Sequence, residues 1–278
     1  MQTWQAMTPH SAAFFEAAAA HPERALLALD FDGTLAAIVP DPEDSRLHEA
    51  SSAALGRLCG VLGAVAIITG RAVGTVRRLA RLDERPELAS LIVLGAYGAE
   101  RYSPAEADGP ARETPEGIAA ARPELEALIA EFGVAGVGLE DKGAALGVHT
   151  RRAADPTAAF EALRPGVGEI AARHGLVLEP GRNVLEVRAS AVTKGEAIRS
   201  LVEETSATVV AMCGDDLGDL PAFAELTALR EDGSVTCRVV SGSDEQDVLV
   251  AHADVLTDGP DGMAGWLTAL ADRVVGPR

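Results

Sequence analysis

Short apolar runs recur along the chain, and each stops at a small or charged residue. Ala25-Leu26-Leu27-Ala28-Leu29 passes without a polar break into Asp30-Phe31-Asp32-Gly33-Thr34-Leu35. Val65-Ala66-Ile67-Ile68 stops at Thr69-Gly70-Arg71, and Leu91-Ile92-Val93-Leu94 at Gly95-Ala96-Tyr97-Gly98. Thr208 to Cys213 stops at Gly214-Asp215-Asp216, and Val255-Leu256 is a last short run; Val235–Val240, interrupted by Thr236 and Arg238, is also expected as a strand. Runs of this length without alternation predict strands buried on both faces. Between them the period lengthens. Leu55, Leu58 and Leu62 share one face of a helix predicted over 48–62, and a basic helix is expected over 72–81. Others are expected after Lys194, through Phe223, and around Trp266, Leu267 and Leu270. Strands alternating with helices predict an α/β fold, a doubly wound parallel sheet with helices on both faces.

The middle of the chain breaks this rhythm. Residues 103–115, rich in Pro, Glu and Asp, predict a linker. From 115 to 189 the pattern reads helix (115–132), hairpin (136–142 with 144–151, turning at Lys142-Gly143), helix (156–174), hairpin (176–179 with 183–188, turning at Pro180-Gly181). This αββ pseudo-repeat predicts a small antiparallel sheet backed by two helices. The expected domains are therefore a core of 1–105 and 190–278, interrupted by an α+β cap of 106–189. Period two puts Leu139, Leu146, Val148, Leu185 and Val187 toward the helices. It gives the opposite face Glu140, Lys142, His149, Arg151, Glu186 and Arg188. Such a face suits a polyhydroxylated ligand; the plainer reading is a solvated face joined by cross-strand ion pairs.

Composition narrows the partners. A net charge of −18 argues against nucleic acid and anionic membrane surfaces. It also means that a phosphate ester needs local positive charge or a metal. Cys59, Cys213 and Cys237 are scattered without metal-site spacing, which suits buried thiols in a reducing, cytoplasmic setting. The apolar patch at Phe14 and Phe15 is broken by Glu16 and reads as a helix, not a signal peptide. Of 24 basic residues only Lys142 and Lys194 are lysines, so each is a candidate for a compact ammonium charge.

The chemistry collects at strand ends. Asp30 and Asp32 leave a buried strand two residues apart, where open α/β sheets bind ligands. One carboxylate can attack as nucleophile while the other moves a proton. Thr69 offers a hydroxyl and an amide to a phosphoryl oxygen, or simply caps the next helix. Lys194 opens a helix, where the dipole disfavours a cation, so it needs another reason to be there. Asp215, Asp216 and Asp219 offer oxygen ligands to a hard cation such as Mg²⁺, or form an acidic capping turn.

In order and context these pieces resemble the haloacid-dehalogenase-like phosphohydrolases. Nearly the whole chain resembles the trehalose-6-phosphate phosphatases within them. The resemblance rests on DFDGTLAAIVPDP (30–42), TGR (69–71), GAYGAE (95–100), LEDKGAALGVHTRR (139–152), GRNVLEVR (181–188), KG (194–195) and GDDLGDLPAF (214–223). Tyr97 stands where the family often has His, and Gly218 and Leu220 replace the commoner Thr and Glu. The resemblance implies Mg²⁺-dependent hydrolysis of trehalose 6-phosphate through an aspartyl-phosphate on Asp30. Asp32 would act as acid and base, with Thr69 and Lys194 on the phosphoryl group. Asp30, Asp215 and the Asp32 carbonyl would hold the metal, with Asp216 and Asp219 in its outer shell. Gly70, Arg71, Glu140, Lys142, His149, Thr150, Arg151 and Glu186 would bind substrate. The expected partner is a small-molecule sugar phosphate, met by a monomer with functional coupling to a sugar-phosphate synthase. Rival readings are a phosphatase for a sucrose or glucosylglycerol ester, a phosphosugar mutase, and a silent partner of a synthase. The last predicts loss of Asp30, Asp32 or Lys194, and all three are present.

Overall fold

A computed structural model describes residues 3–102, 114–181, 183–243 and 246–277. In chain order the elements are β1 (Trp4–Ala6), α1 (His10–Ala20), β2 (Ala25–Leu29), α2 (Glu49–Leu58), β3 (Ala64–Ile68), α3 (Val73–Leu79), β4 (Ile92–Gly95), β5 (Glu100–Tyr102) and α4 (Glu116–Phe132). They continue with β6 (Gly138–Asp141), β7 (Ala145–His149), α5 (Pro156–Arg173), β8 (Val177–Gly181), β9 (Val184–Arg188), α6 (Lys194–Thr205) and β10 (Val209–Gly214). The last are α7 (Leu220–Glu231), β11 (Val235–Ser241), α8 (Gln246–Leu249), β12 (Val255–Thr257) and α9 (Gly259–Val275). The chain divides into two compact units, one of residues 1–69, 73–107 and 192–278, the other of 70–72 and 108–191.

The first unit is built on an eight-stranded sheet in the order β1-β12-β11-β10-β2-β3-β4-β5. Its six inner strands run parallel, and β1 and β5 add antiparallel edges. From β2 the chain winds outward through β3 to β4; from β10 it winds the other way to β12. The reversal falls between β2 and β10, the crevice where such sheets take ligands. Every residue of β2 is buried. Leu27, Leu29 and Phe31 pack with Leu55, Ile67 and Trp266 on one face, and Leu26 packs with Ile198, Met212 and Phe223 on the other. Each buried leucine contributes about 2 kcal/mol relative to exposure. A one-residue slip would exchange the leucine and alanine positions between the two faces, so the register that places Asp30 is firmly set.

The N-terminal segment closes one side. Phe14 stacks on Trp266 with ring centroids 6.2 Å apart, and β1 pairs Trp4 with Thr257. Helix formation around Phe14 agrees with the apolar pattern. The edge strands β1 and β5 were not expected, because three residues of mixed burial carry no readable period.

The second unit is a four-stranded antiparallel sheet, β6-β7-β9-β8, with α4 and α5 packed on one face. Leu146, Val148, Leu185 and Val187 enter its core, and Leu139 packs against it, as alternation requires. The second hairpin differs from expectation. The chain turns between Gly181 and Val184, with Asn183 at φ 56°, and Pro180 stays inside β8 opposite Leu185. The edge position of β8 explains this, since an edge strand tolerates a residue without an N–H. Most of the expected 103–115 linker lies outside the described residues. Among the described residues, no helix is long and apolar enough to cross a membrane.

Candidate active site

The ends of β2 and β10 meet at the switch point. The Asp30 amide donates to the Cys213 carbonyl at 2.8 Å, which extends the β2–β10 ladder into the turn. Asp30, Asp215 and Asp219 are buried, with one carboxylate oxygen from each lying within 4.8 Å of the others. Their close approach depends on Gly33. It has φ +71°, and a Cβ there would lie 2.0 Å from Asp215 Oδ2, so no other residue fits without displacing the carboxylate. The Thr34 hydroxyl donates to Asp215 Oδ1 at 3.2 Å.

Lys194 is the counter-charge. Its ammonium lies 2.9 Å from Asp30 Oδ1 and 2.6 Å from Asp219 Oδ1. It occupies the first position of α6, where Thr193 and Glu196 form a capping box. The cost of a cation at that end is offset by the two carboxylates. Burial opposes its charge, but Asp219, Asp30 and Asp216 hold it well above the ordinary lysine range. Burial pushes Asp30 well above the carboxylate range against the pull of Lys194, with Asp219, Asp216 and Asp32 adding to the push. Asp215 is raised likewise, by burial first and then by Asp30, Asp216 and Asp219. Three buried carboxylates around one lysine form a site short of positive charge.

Asp219 has little freedom to move. Oδ2 accepts from the Asp215 and Asp216 amides at 2.8 and 3.2 Å, while Oδ1 accepts from Lys194. Asp216 is exposed and caps the short turn that begins at Leu217. Asp32 is partly buried, with the Ser45 hydroxyl 3.1 Å from its Oδ1. Ser45 was missed in the sequence because no local pattern ties it to a residue 13 positions away. Thr69 is buried, and its backbone is held on both sides: its amide donates to Leu94 and its carbonyl accepts from the Tyr97 amide at 2.8 Å. Ala96 and Tyr97 both have positive φ in that supporting loop.

In the second unit the polar face forms as expected for most of its members. His149 Nε2 meets Glu140 Oε2 at 2.6 Å, and Lys142 donates to Glu186 Oε2 at 2.5 Å. Arg188 donates to Glu179 at 2.7 Å. Glu186 is buried and its Oε1 accepts no hydrogen bond. Burial opposes the charge of Glu140, but the His149 contact and then the charges of Lys142, His149 and Arg71 hold it at about 2. Gly70 and Arg71 are partly buried and group with this unit. Two residues expected to bind substrate, Arg151 of the expected face and Thr150, do not join it. Thr150 is fully buried, and its hydroxyl is spent on the carbonyls of Pro156 (2.9 Å) and Asn183 (3.3 Å). Its position shares the parity of Leu146 and Val148, which explains its turning away from the polar side. Arg151 lies beyond the end of β7, exposed in a turn.

The parallel sheet with carboxylates and a buried lysine at its switch point, interrupted in sequence by an α+β unit, shares its fold with a haloacid-dehalogenase-like hydrolase from Bacteroides thetaiotaomicron, with a TM-score of 0.58 at 16% identity over 87% of this chain and 97% of that one. The family model for trehalose-phosphatase matches residues 28–251. The chain is 30% identical over 217 residues to the probable trehalose-phosphate phosphatase of Sinorhizobium fredii (strain NBRC 101917 / NGR234), spanning 77% of each chain. It is 34% identical over 212 residues to the trehalose-phosphate phosphatase of Mycobacterium marinum (strain ATCC BAA-535 / M), covering 70% of this chain and 49% of that one. It thus spans about half the length of the Mycobacterium protein. The C-terminal domain of C. albicans trehalose-6-phosphate phosphatase shares the fold, with a TM-score of 0.75 at 20% identity over 96% of this chain and 99% of that one. The chain belongs to the trehalose-phosphatase family, whose members are phosphoric monoester hydrolases.

Proposed function

We propose that the chain hydrolyses trehalose 6-phosphate to trehalose and inorganic phosphate, with Asp30 as nucleophile. The observation that carries this reading is the clustering of Asp30, Asp215 and Asp219, two of them paired with Lys194, at the switch point of a trehalose-phosphatase chain. Lys194 holds Asp30 Oδ1, which leaves Oδ2 to attack phosphorus. The phosphoryl group passes to Asp30 as an aspartyl-phosphate while Asp32 protonates the departing sugar oxygen. Asp32 then takes a proton from the water that hydrolyses the intermediate, and Asp30 is regenerated. Thr69 and Lys194 bind the phosphoryl oxygens during both transfers.

The donor set fits Mg²⁺. It consists of oxygens only, it is buried, and its carboxylates outnumber the nearby cation. Asp30, Asp215 and the Asp32 carbonyl would hold the ion, while Asp216 and Asp219 shape its surroundings. When bound, Mg²⁺ supplies the charge that lets an anionic ester approach a carboxylate. The division into core and cap enters here as well. The second unit recognises the sugar through Glu140, Lys142, His149 and Glu186. The unpaired Glu186 Oε1 supports this, since a buried acceptor gains from a sugar hydroxyl.

Phosphate release from trehalose 6-phosphate, sucrose 6-phosphate, glucosylglycerol phosphate and p-nitrophenyl phosphate tests the reading, with Mg²⁺ and with a chelator. Trehalose 6-phosphate is expected to be preferred, and chelation to abolish release. Equal rates on all four esters would remove the sugar assignment. Isomerised substrate without phosphate release would indicate a mutase.

A further inference from the structure

The two loops that carry the carboxylates are each tied to a third strand. At the end of β11 the fully buried Ser241 donates its hydroxyl proton to the Gly33 carbonyl at 2.7 Å. Two residues on, Ser243 donates to the Asp215 carbonyl at 2.5 Å. Between them the Gly242 amide donates to the Thr257 carbonyl at 2.9 Å, which fixes this end of β11 to β12. One short segment thus holds the turn after Asp32 and the turn after β10 at the same time.

The arrangement opposes a specific force. Asp30 and Asp215 bring carboxylate oxygens within 4.8 Å of one another, and like charges at that distance repel. Gly33 already lies against the Asp215 carboxylate, so the spacing has no slack on the near side. On the far side, apolar packing could fill the volume of a serine with an alanine. Only a hydroxyl fixes the direction and distance of a carbonyl.

We propose that Ser241 and Ser243 are positioning residues that set the separation of the Asp30–Thr34 and Gly214–Asp219 loops, and through it the affinity of the carboxylate cluster for a divalent cation. The proposal rests on the Mg²⁺-dependent reading above. Its test compares wild type with Ser241→Ala, Ser243→Ala and Ser243→Thr. For each protein, Mg²⁺ is titrated calorimetrically into metal-free protein, half-maximal Mg²⁺ for phosphate release is measured, and the metal-free melting temperature is recorded.

Each alanine variant is expected to weaken Mg²⁺ binding by about fivefold to tenfold, the scale of one lost hydrogen bond. The rate at saturating Mg²⁺ should stay within about twofold of wild type, and Ser243→Thr should restore affinity because the hydroxyl is retained. Should Ser241→Ala fail to fold, the half-buried Ser243 carries the test. Lower melting temperatures with unchanged Mg²⁺ affinity overturn the serine assignment alone. A wild type that does not respond to Mg²⁺ overturns this proposal together with the reading beneath it.

Discussion

Two clusters of similar residues behave in opposite ways. At the switch point of the large sheet, Asp30 and Asp219 pair with Lys194 beside Asp215, and burial with the charges of neighbouring carboxylates drives Asp30 and Asp215 toward protonation. On the small sheet, Glu140 and Glu186 meet His149 and Lys142, and Glu140 is held at about 2 despite its burial. The difference lies in the ratio of cations to carboxylates. The first cluster lacks a positive charge that something else must bring. The second nearly balances itself, so a ligand there exchanges hydrogen bonds rather than charge. One arrangement suits an anion and its metal, the other a neutral polyol.

The largest effect is expected from Asp30→Asn. Turnover of trehalose 6-phosphate should fall by at least about a thousandfold, since an amide cannot take the nucleophilic role proposed for the Asp30 carboxylate. Circular dichroism should show an intact fold. Near-native activity would sink the nucleophile assignment and, with it, the idea that the two clusters divide chemistry from recognition. Next comes Glu186→Ala. It should reduce kcat/KM for trehalose 6-phosphate by about tenfold to a hundredfold while leaving p-nitrophenyl phosphate within about twofold, the scale of one or two lost hydrogen bonds. Equal loss on both esters would show that the small sheet does not read sugar.

The smallest effect sharpens the electrostatic contrast. The Glu140 carboxyl is depressed from its ordinary value of 4.5 to about 2, so its charged form stabilises the fold. That stabilisation is present above pH 4.5 and is lost as pH falls through about 2. Glu140→Gln should therefore lower the melting temperature by a few degrees at pH 7. The gap to wild type should close between pH 4.5 and 2. A gap independent of pH would mean that Glu140 contributes packing alone.

Most of the parallel sheet was legible because its strands are buried on both faces and therefore read as continuous apolar runs. Leu26, Leu27 and Leu29 announce β2 without help from their neighbours. The edges were not legible. Trp4-Gln5-Ala6 is a strand only because β12 offers it a partner. Asp30, Asp215 and Lys194 were visible as motifs, since their chemistry is tied to strand ends and to a helix start. Ser45, Ser241 and Ser243 were not, because a serine near a turn has many uses and only the fold reveals which carbonyl or carboxylate it faces. Thr150 marks the opposite failure. It sits within a run of residues expected to bind substrate, yet strand parity turns it toward the Pro156 and Asn183 carbonyls.

The stacking of Phe14 on Trp266 has a spectroscopic consequence. The chain has two tryptophans and two tyrosines, and Trp4, Trp266, Tyr97 and Tyr102 all belong to the first unit. Trp4 and Trp266 both neighbour Phe15 in one aromatic cluster. Intrinsic emission therefore reports on the large sheet and its N-terminal cover, while the small sheet is dark. A denaturant titration followed by fluorescence and by far-ultraviolet dichroism would consequently separate the melting of the two units without any added label, and a single tryptophan placed between residues 115 and 189 would illuminate the second.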